Sequence, residues 1–262
     1  MADDLKHTFG FQQVDVAERR ARIRKVFDAV APRYDLMNDL MSFGIHRLWK
    51  RIFVNQVATN CPHAQAIVDL AGGTGDIADL LARRYRVSPG GNDRLIVVAD
   101  PAVPMMQAGR ARLGARAQLL RWLAAEGERL PFADDSIDAI TISFGLRNMA
   151  EPERALAEAH RVLKPDGMFF CLEFSRPAKW LAPFYDLYSF HVIPRLGAAV
   201  ARAPFAYRYL VESIRRFPGQ HALTEMIREA GFADVQWRNL SFGIAAIHAA
   251  RKAARRQRAM AA

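Results

Sequence analysis

Cysteine is scarce in this chain: 262 residues include two, Cys61 and Cys171, far apart in sequence. Cys171 lies inside the apolar run Met168-Phe-Phe-Cys-Leu172. A disulfide framework is therefore not indicated, and two reduced thiols in a cytoplasmic protein are expected. Long apolar runs are missing as well. No uninterrupted stretch approaches the roughly 20 residues that span a bilayer. The start, Met1-Ala-Asp-Asp-Leu-Lys6, lacks the basic-then-apolar pattern of a secretory signal. No cysteine–histidine or carboxylate cluster has metal-ligand spacing, so no metal is expected. There is no internal repeat.

What the chain has is apolar mass and positive charge. Its 51% hydrophobic content suffices for one sizeable core with appendages. The net charge of +10 is uneven. Arg19, Arg20, Arg22, Arg24 and Lys25 crowd an early helix, while Arg251, Lys252, Arg255, Arg256 and Arg258 crowd a C-terminal tail expected to be frayed or disordered. Such clusters suit a solvated face, nucleic acid or an anionic membrane surface.

To about Asn60 the pattern is helical, with Val26, Phe27 and Val30, then Leu48, Trp49, Ile52 and Phe53 at helical spacing. From Ala64 strands and helices alternate. Strands are expected at 66–70, 94–99, 117–122, 137–143 and 168–174, and helices at 76–85, 102–113 and 152–163. Such alternation implies a parallel, doubly wound α/β sheet. Two last runs, Ala233–Trp237 and Ile244–Ala249, are joined too closely for a crossover helix, which leaves an antiparallel pair. Five parallel strands followed by such a pair is the Rossmann-like arrangement of class I methyltransferases. The expected division is an N-terminal helical cap (1–60), a cofactor-binding core (61–175), an apolar helical lid (176–220), the final helix and strand pair (221–250) and a basic tail (251–262). The lid is rich in aromatics, among them Trp180, Phe184, Tyr185, Tyr188, Tyr209 and Phe217, and is broken by prolines.

The most specific stretch is Asp69-Leu-Ala-Gly-Gly-Thr-Gly-Asp76, directly after the apolar run Ala66–Val68. Glycines let a backbone approach a ligand, and free amides at a helix start favour an anion. Asp100 ends the next apolar run, where such folds place the acid that grips ribose hydroxyls. An adenosine-type cofactor follows, although Gly73-x-Gly75-x-x-Ala78 also fits the dinucleotide fingerprint.

Several segments resemble one family nearly end to end: Tyr34-Asp-Leu-Met-Asn-Asp39, Asp69–Asp76, Phe144-Gly-Leu-Arg-Asn148, Arg161-Val-Leu-Lys-Pro165, Leu172-Glu-Phe-Ser175 and Tyr209-Leu-Val-Glu-Ser-Ile214. The chain is similar to the ubiquinone/menaquinone biosynthesis C-methyltransferases (UbiE-type). The resemblance implies methyl transfer from S-adenosylmethionine to a ring carbon of a polyprenylated benzoquinol, a demethylmenaquinol, or both. It implies cofactor contacts at Thr74, Asp100, Glu126, Gly127 and Ser143; Gly73 and Gly75 are expected to allow the tight turn, and Asp69, at the end of the first strand, to meet the cofactor's ammonium directly or through water. Glu126-Gly127 stands where an Asn-Ala or Asp-Ala pair is common, Asp166 where glycine is usual, and Phe242 where a glycine is common.

The resemblance puts the chemistry at Arg147 and Asn148, with Tyr34 as a third member and Asp35 and His46 as reserve proton acceptors. A guanidinium stays protonated at any working pH, so Arg147 is expected to hold a developing phenolate rather than act as a base. The quinol substrate lives in the bilayer, which implies a cytoplasmic protein docked peripherally on the anionic inner face. A homodimer and association with other quinone-biosynthesis proteins stay open. An RNA methyltransferase and a non-catalytic scaffold are the competing readings. Charge confined to the two ends and an apolar insert speak against a nucleic-acid partner.

Overall fold

Alternating apolar residues put one sheet between two helical layers. The computed structural model describes residues 5–31, 38–39, 42–88, 94–189 and 204–254. Apart from a short antiparallel ribbon, Thr8–Phe9 with Gln12–Gln13, the strands are β1 (Ala66–Leu70), β2 (Leu95–Ala99), β3 (Arg121–Leu123), β4 (Ile137–Ser143), β5 (Leu163–Phe174), β6 (Ala233–Leu240) and β7 (Ala245–Arg251). They form one sheet in the order β3-β2-β1-β4-β5-β7-β6. The expected doubly wound sheet is present. Its antiparallel strand is β7, which inserts between β5 and β6. The chain winds one way from β1 and the other way from β4. These two strands are neighbours, so the ligand crevice of such a sheet opens at their C-terminal ends.

The helices are α1 (Val16–Val30), α2 (Ile45–Asn60), α3 (Asp76–Arg84), α4 (Val103–Leu113), α5 (Pro152–Val162), α6 (Ala182–Leu187), α7 (Pro204–Arg216) and α8 (Gln220–Glu229). On one face Val68, Ile140 and Phe169 pack with Leu156 of α5 and Ile227 of α8. On the other, Ile67, Val98 and Phe170 pack with Phe53 of α2 and Leu81 of α3. Phe169 and Phe170 are consecutive and serve opposite cores, each ring contributing roughly 1.5–3 kcal/mol by burial. Helix α2, placed by sequence in an N-terminal cap, is thus a regular member of the sandwich. Helix α1, started by the Asp15 carboxylate accepting from the Glu18 amide (2.7 Å), packs its Ile23, Val26 and Val30 on Tyr207 and Val211 of α7. Helices α1 and α7 therefore share one cluster. Among the described residues no helix is long and apolar enough to cross a membrane. Cys61 and Cys171 are free thiols, and burial pushes the Cys61 thiol up to about 11.

Three expectations are corrected. The third strand is Arg121–Leu123 and not 117–122, because the alanine-containing stretch Gly114–Leu119 coils as a 3-10 turn after α4. The fifth strand begins at Leu163, five residues early, and absorbs Lys164–Gly167 in a bulge that shifts its register on β4. The basic tail does not begin at 251. Arg251 pairs in β7, and Lys252 is buried, its Nζ donating to Asp135 (2.7 Å) and to the carbonyl oxygens of Leu163 (2.7 Å) and Arg161 (3.1 Å). That ammonium supplies the donors the entry to β5 lacks.

Lys252→Ala should therefore cost about 2–4 kcal/mol of stability, because it removes the buried ammonium from Asp135 and a donor from the carbonyl oxygens of Leu163 and Arg161. A chain ending after Ala254 should unfold as the full chain does. Denaturant titration separates the two; equal stability of Lys252→Ala and the full chain would assign Lys252 to the tail.

Candidate active site

The loop after β1 turns sharply. Ala71, Gly73 and Gly75 have φ of 51°, 52° and 76°, and the Gly75 amide donates to the Gly72 carbonyl oxygen (2.8 Å). A Cβ on Gly75 would lie 2.7 Å from the Trp122 ring, so only glycine fits both the conformation and the space. In α4, a Cβ on Gly109 would meet the Thr74 carbonyl oxygen at 2.3 Å; its absence lets that helix press on the loop. Phe144, at the matching end of β4, also sits in the left-handed region (φ 56°), strain that the surrounding packing must hold.

Two buried carboxyl groups flank the loop. Asp100 accepts from the amides of Gly73 (2.9 Å) and Ala102 (2.7 Å), and burial pushes its pKa up to about 6. Asp69 accepts from the Thr141 hydroxyl (2.9 Å) through Oδ1, and burial pushes it up to about 7. Its Oδ2, like the Ser143 hydroxyl, is buried without a hydrogen-bond partner among the described residues. Buried polar atoms left so are rare and mark places where a partner is missing.

Two cavities adjoin along this edge, sharing Ala71, Gly73, Ser143 and Phe144 in their walls. The smaller, about 110 Å³, is lined by Asp100, Glu126, Gly127, Asn148, Met105 and Phe27. The larger, about 610 Å³, is lined by Asp69, Thr74, Lys50, His46, Arg147 and a largely apolar wall including Trp49, Phe144, Phe174, Tyr185 and Leu210. Of the described residues named from sequence, Thr74, Asp100, Glu126, Gly127, Ser143, Asp69, Gly73, Arg147 and Asn148 line one or both cavities, whereas Gly75 lines neither and faces the Trp122 ring. Tyr34 and Asp35 lie outside the described residues. Glu126 is half-exposed, its carboxylate 3.7 Å from both Arg20 and Arg24 of α1.

Arg147 and Asn148 end the Leu146–Asn148 turn after β4. The Arg147 guanidinium is buried. Its Nη1 donates to Glu173 (2.7 Å) and to the Phe144 carbonyl oxygen (2.6 Å), its plane lies 5.2 Å from the Phe174 ring centre, and its Nε has no described partner. Burial pushes Glu173 up, while the guanidinium beside it opposes that shift. The turn is clamped from behind by Arg19 of α1, which donates to the carbonyl oxygens of Arg147 (3.0 Å) and Met149. Asn148 accepts from the Tyr209 hydroxyl (3.2 Å) and donates to the Phe144 carbonyl oxygen (3.2 Å).

His46 reaches the larger cavity from the first turn of α2. The Ser42 hydroxyl gives its proton to the Asn38 carbonyl oxygen (2.6 Å), so Nδ1 of His46, 2.6 Å from the same hydroxyl, is assigned the N–H and Nε2 the lone pair. Burial and the nearby Lys50 push this imidazole down to about 4, so it is neutral at pH 7. His46, expected as a reserve proton acceptor, thus stands on the cavity wall. His248 is buried against the Gln220 carbonyl oxygen (3.0 Å) and His160 lies edge-on to Phe232.

Sequence reasoning missed Glu173, Lys50 and Arg19. Glu173 carried a signal, as the one acid in the apolar run Met168–Phe174. Arg19 had none, because its partners are backbone carbonyl groups of a distant turn.

The sheet order and the glycine-loop crevice define a class I methyltransferase. Solved structures agree on the fold. A methyltransferase of Thermotoga maritima, described as possibly acting on histamine, matches with a TM-score of 0.61 and 19% identity over 88% of this chain and 99% of that one. The [4+2]-cyclase SpnF matches with the same TM-score and 18% identity over 88% and 94%. The chain belongs to the ubiE/COQ5 methyltransferase family, whose pattern covers residues 14–252. It is 57% identical, over 95% of its length and 94% of the relative's, to the ubiquinone/menaquinone biosynthesis C-methyltransferase UbiE of Rubrivivax gelatinosus. The UbiE of Acidiphilium cryptum is 49% identical over 95% and 98%.

Asp69 and Asp100 keep protons in the folded chain, to about pH 7 and about pH 6, that unfolded aspartates release near pH 4. Over that interval the native state binds more protons than the unfolded one, so their contribution to stability falls as pH rises. Asp69→Asn should remove its share. The variant should gain on the wild type by roughly 2 kcal/mol between about pH 5 and about pH 8 in thermal melts. Parallel stability curves would show Asp69 to be ionised throughout.

Proposed function

We propose that this chain transfers the methyl group of S-adenosylmethionine to a ring carbon of a prenylated quinol: a benzoquinol of ubiquinone synthesis, a demethylmenaquinol of menaquinone synthesis, or both. The observation that carries the reading is the join between two unlike cavities. One is narrow and closed by a buried carboxyl group; the other is wide and apolar, with one guanidinium, Arg147, in its described wall.

The residues present fit the cofactor. Asp100 has acceptor capacity for a pair of ribose hydroxyls, Gly127 and its neighbours line an adenine-sized slot, and the orphaned Asp69 Oδ2 and Ser143 hydroxyl lack the polar partners a methionine moiety would bring. When bound, S-adenosylmethionine supplies a methyl group made electrophilic by the positive sulfur.

The acceptor carbon needs help, because a neutral ring carbon is a poor nucleophile. The quinol is bound as its phenolate, the hydroxyl proton having passed to bulk water on binding, and Arg147 holds the oxyanion, which keeps electron density on the adjacent carbon. Glu173 and Phe144 fix the guanidinium, and Asn148, tied to Tyr209, sets the turn that carries it. The apolar walls exclude water and align the ring for in-line transfer. The proton later released from the methylated ring carbon is strongly acidic, so a weak base suffices. Nε2 of His46 takes it, with the Asp39 carboxylate 3.8 Å away to stabilise the imidazolium.

The same cavity favours a quinol over RNA, since its wall offers apolar surface rather than a basic groove. Around it the surface is aromatic and exposed: Phe43, Trp180, Phe184 and Phe242, with Trp180 and Phe242 edge-on at 5.3 Å. Exposed Lys179 stands beside Trp180. This rim is read as the peripheral docking face on an anionic membrane, from which a prenyl tail enters. Nearby, Arg215 is bound to Asp186 and to the Ser189 hydroxyl (2.9 Å), and Arg208 is exposed.

Methyl-labelled S-adenosylmethionine given with either quinol should put label on the ring carbon; label on oxygen, or on RNA offered instead, overturns the reading. Two variants separate binding from chemistry. Asp100→Ala should weaken cofactor binding about 10- to 100-fold by calorimetry. Arg147→Lys should keep cofactor affinity within about threefold and lower turnover about 100-fold or more, because lysine lacks the planar fork. Retained turnover in that variant would make Arg147 structural.

Retention on liposomes should rise with anionic lipid and fall with salt. It should weaken in a Trp180→Ser, Phe184→Ser double variant and in a chain ending after Ala254. Absence of retention on every lipid composition would replace docking with delivery by a partner protein.

A further inference from the structure

We propose that Lys50 binds the carboxylate of the cofactor's methionine end, across the larger cavity from Asp69, so that the site reads that end as a zwitterion. The inference rests on the cofactor reading above.

Lys50 is a buried lysine on the middle of α2, one turn beyond His46. Its side chain lines the larger cavity together with Gly72, Gly73 and Thr74. An ammonium group is costly to bury unless anions hold it. The Asp76 carboxylate does so at 2.7 Å, from the first residue of α3. Asp76 splits its oxygens, Oδ2 to Lys50 and Oδ1 to Arg112 of α4. The ammonium is therefore fixed at the cavity wall, beside the N-terminus of α3, where helix dipole and loop amides already favour negative charge.

The second observation lies in the same wall. Asp69 presents a buried oxygen with no hydrogen-bond partner among the described residues. Lys50 is close enough for its charge to oppose the upward push of burial on Asp69. A cation held by one helix start and a carboxyl group with one oxygen unpartnered among the described residues thus line one cavity. An α-amino acid carries its ammonium and carboxylate on one carbon and matches that pairing. A substrate phenolate does not, since it offers nothing to Asp69. No step of the methyl transfer uses Lys50, and its distance along α2 from the glycine loop hid it in the sequence.

Calorimetry with S-adenosylhomocysteine and with its decarboxylated analogue tests the assignment without turnover. The wild type should prefer the carboxylated ligand about 10- to 100-fold, the range of a charge-assisted hydrogen bond. Lys50→Met should reduce that preference to less than about threefold while leaving affinity for the analogue unchanged. Lys50→Gln, which can still donate to Asp76, guards against a folding defect and should lose the preference too. Asp69→Asn should weaken both ligands and keep the ratio. An unchanged ratio in the Lys50 variants, or equal weakening of both ligands, makes Lys50 a structural partner of Asp76 and overturns the proposal. Failure of the wild type to bind either ligand overturns the cofactor reading itself.

Discussion

A guanidinium in an apolar interior is costly unless anions or carbonyl oxygens hold it, and here Arg147 has Glu173 at 2.7 Å, both side chains nearly inaccessible to water. The pair ties the turn after β4 to the end of β5. Removing either partner would leave an uncompensated buried charge, at a cost of about 3–5 kcal/mol. Such a pair is weak evidence for stability gained, since apolar residues would fill the space as well. What it does achieve is to hold a positive group at one point of an otherwise apolar cavity.

The rest of the architecture serves that point. The switch between β1 and β4 opens the crevice, the glycine loop after β1 builds one wall, and the turn after β4 builds the other. Both strand ends pass through the left-handed region, at Ala71 and Phe144, which brings the two cavities into contact. Helices α1 and α7 are far apart in sequence yet pack together, and they lock the turn through Arg19 on its carbonyl groups and Tyr209 on Asn148. The segments that cover the site also hold its chemical groups in position.

Much of this was legible in the sequence because it rests on local patterns. Apolar runs of strand length, helical spacing and the Asp69–Asp76 loop report the sheet and crevice directly. Position after a strand marked Asp100, and the family resemblance marked Arg147. The remainder depends on long-range partners. The Arg19 side chain meets its acceptors about 130 residues away, and Lys252 was read as tail although its donors complete the bulge at β5. Neither contact leaves a spacing signature. Glu173 was visible as an acid in an apolar run, but its meaning required knowing that Arg147 lies opposite.

The central claim is that Arg147, fixed by Glu173, stabilises the oxyanion of the bound acceptor. The ionisation of a bound, non-reactive phenol analogue with a prenyl tail and a chromophoric ring tests it most directly. Absorbance titration in the presence of S-adenosylhomocysteine should show the analogue bound as phenolate by the wild type at a pH where it is neutral in solution, and bound as the neutral phenol by Glu173→Gln. Binding as the neutral phenol to the wild type would contradict the account.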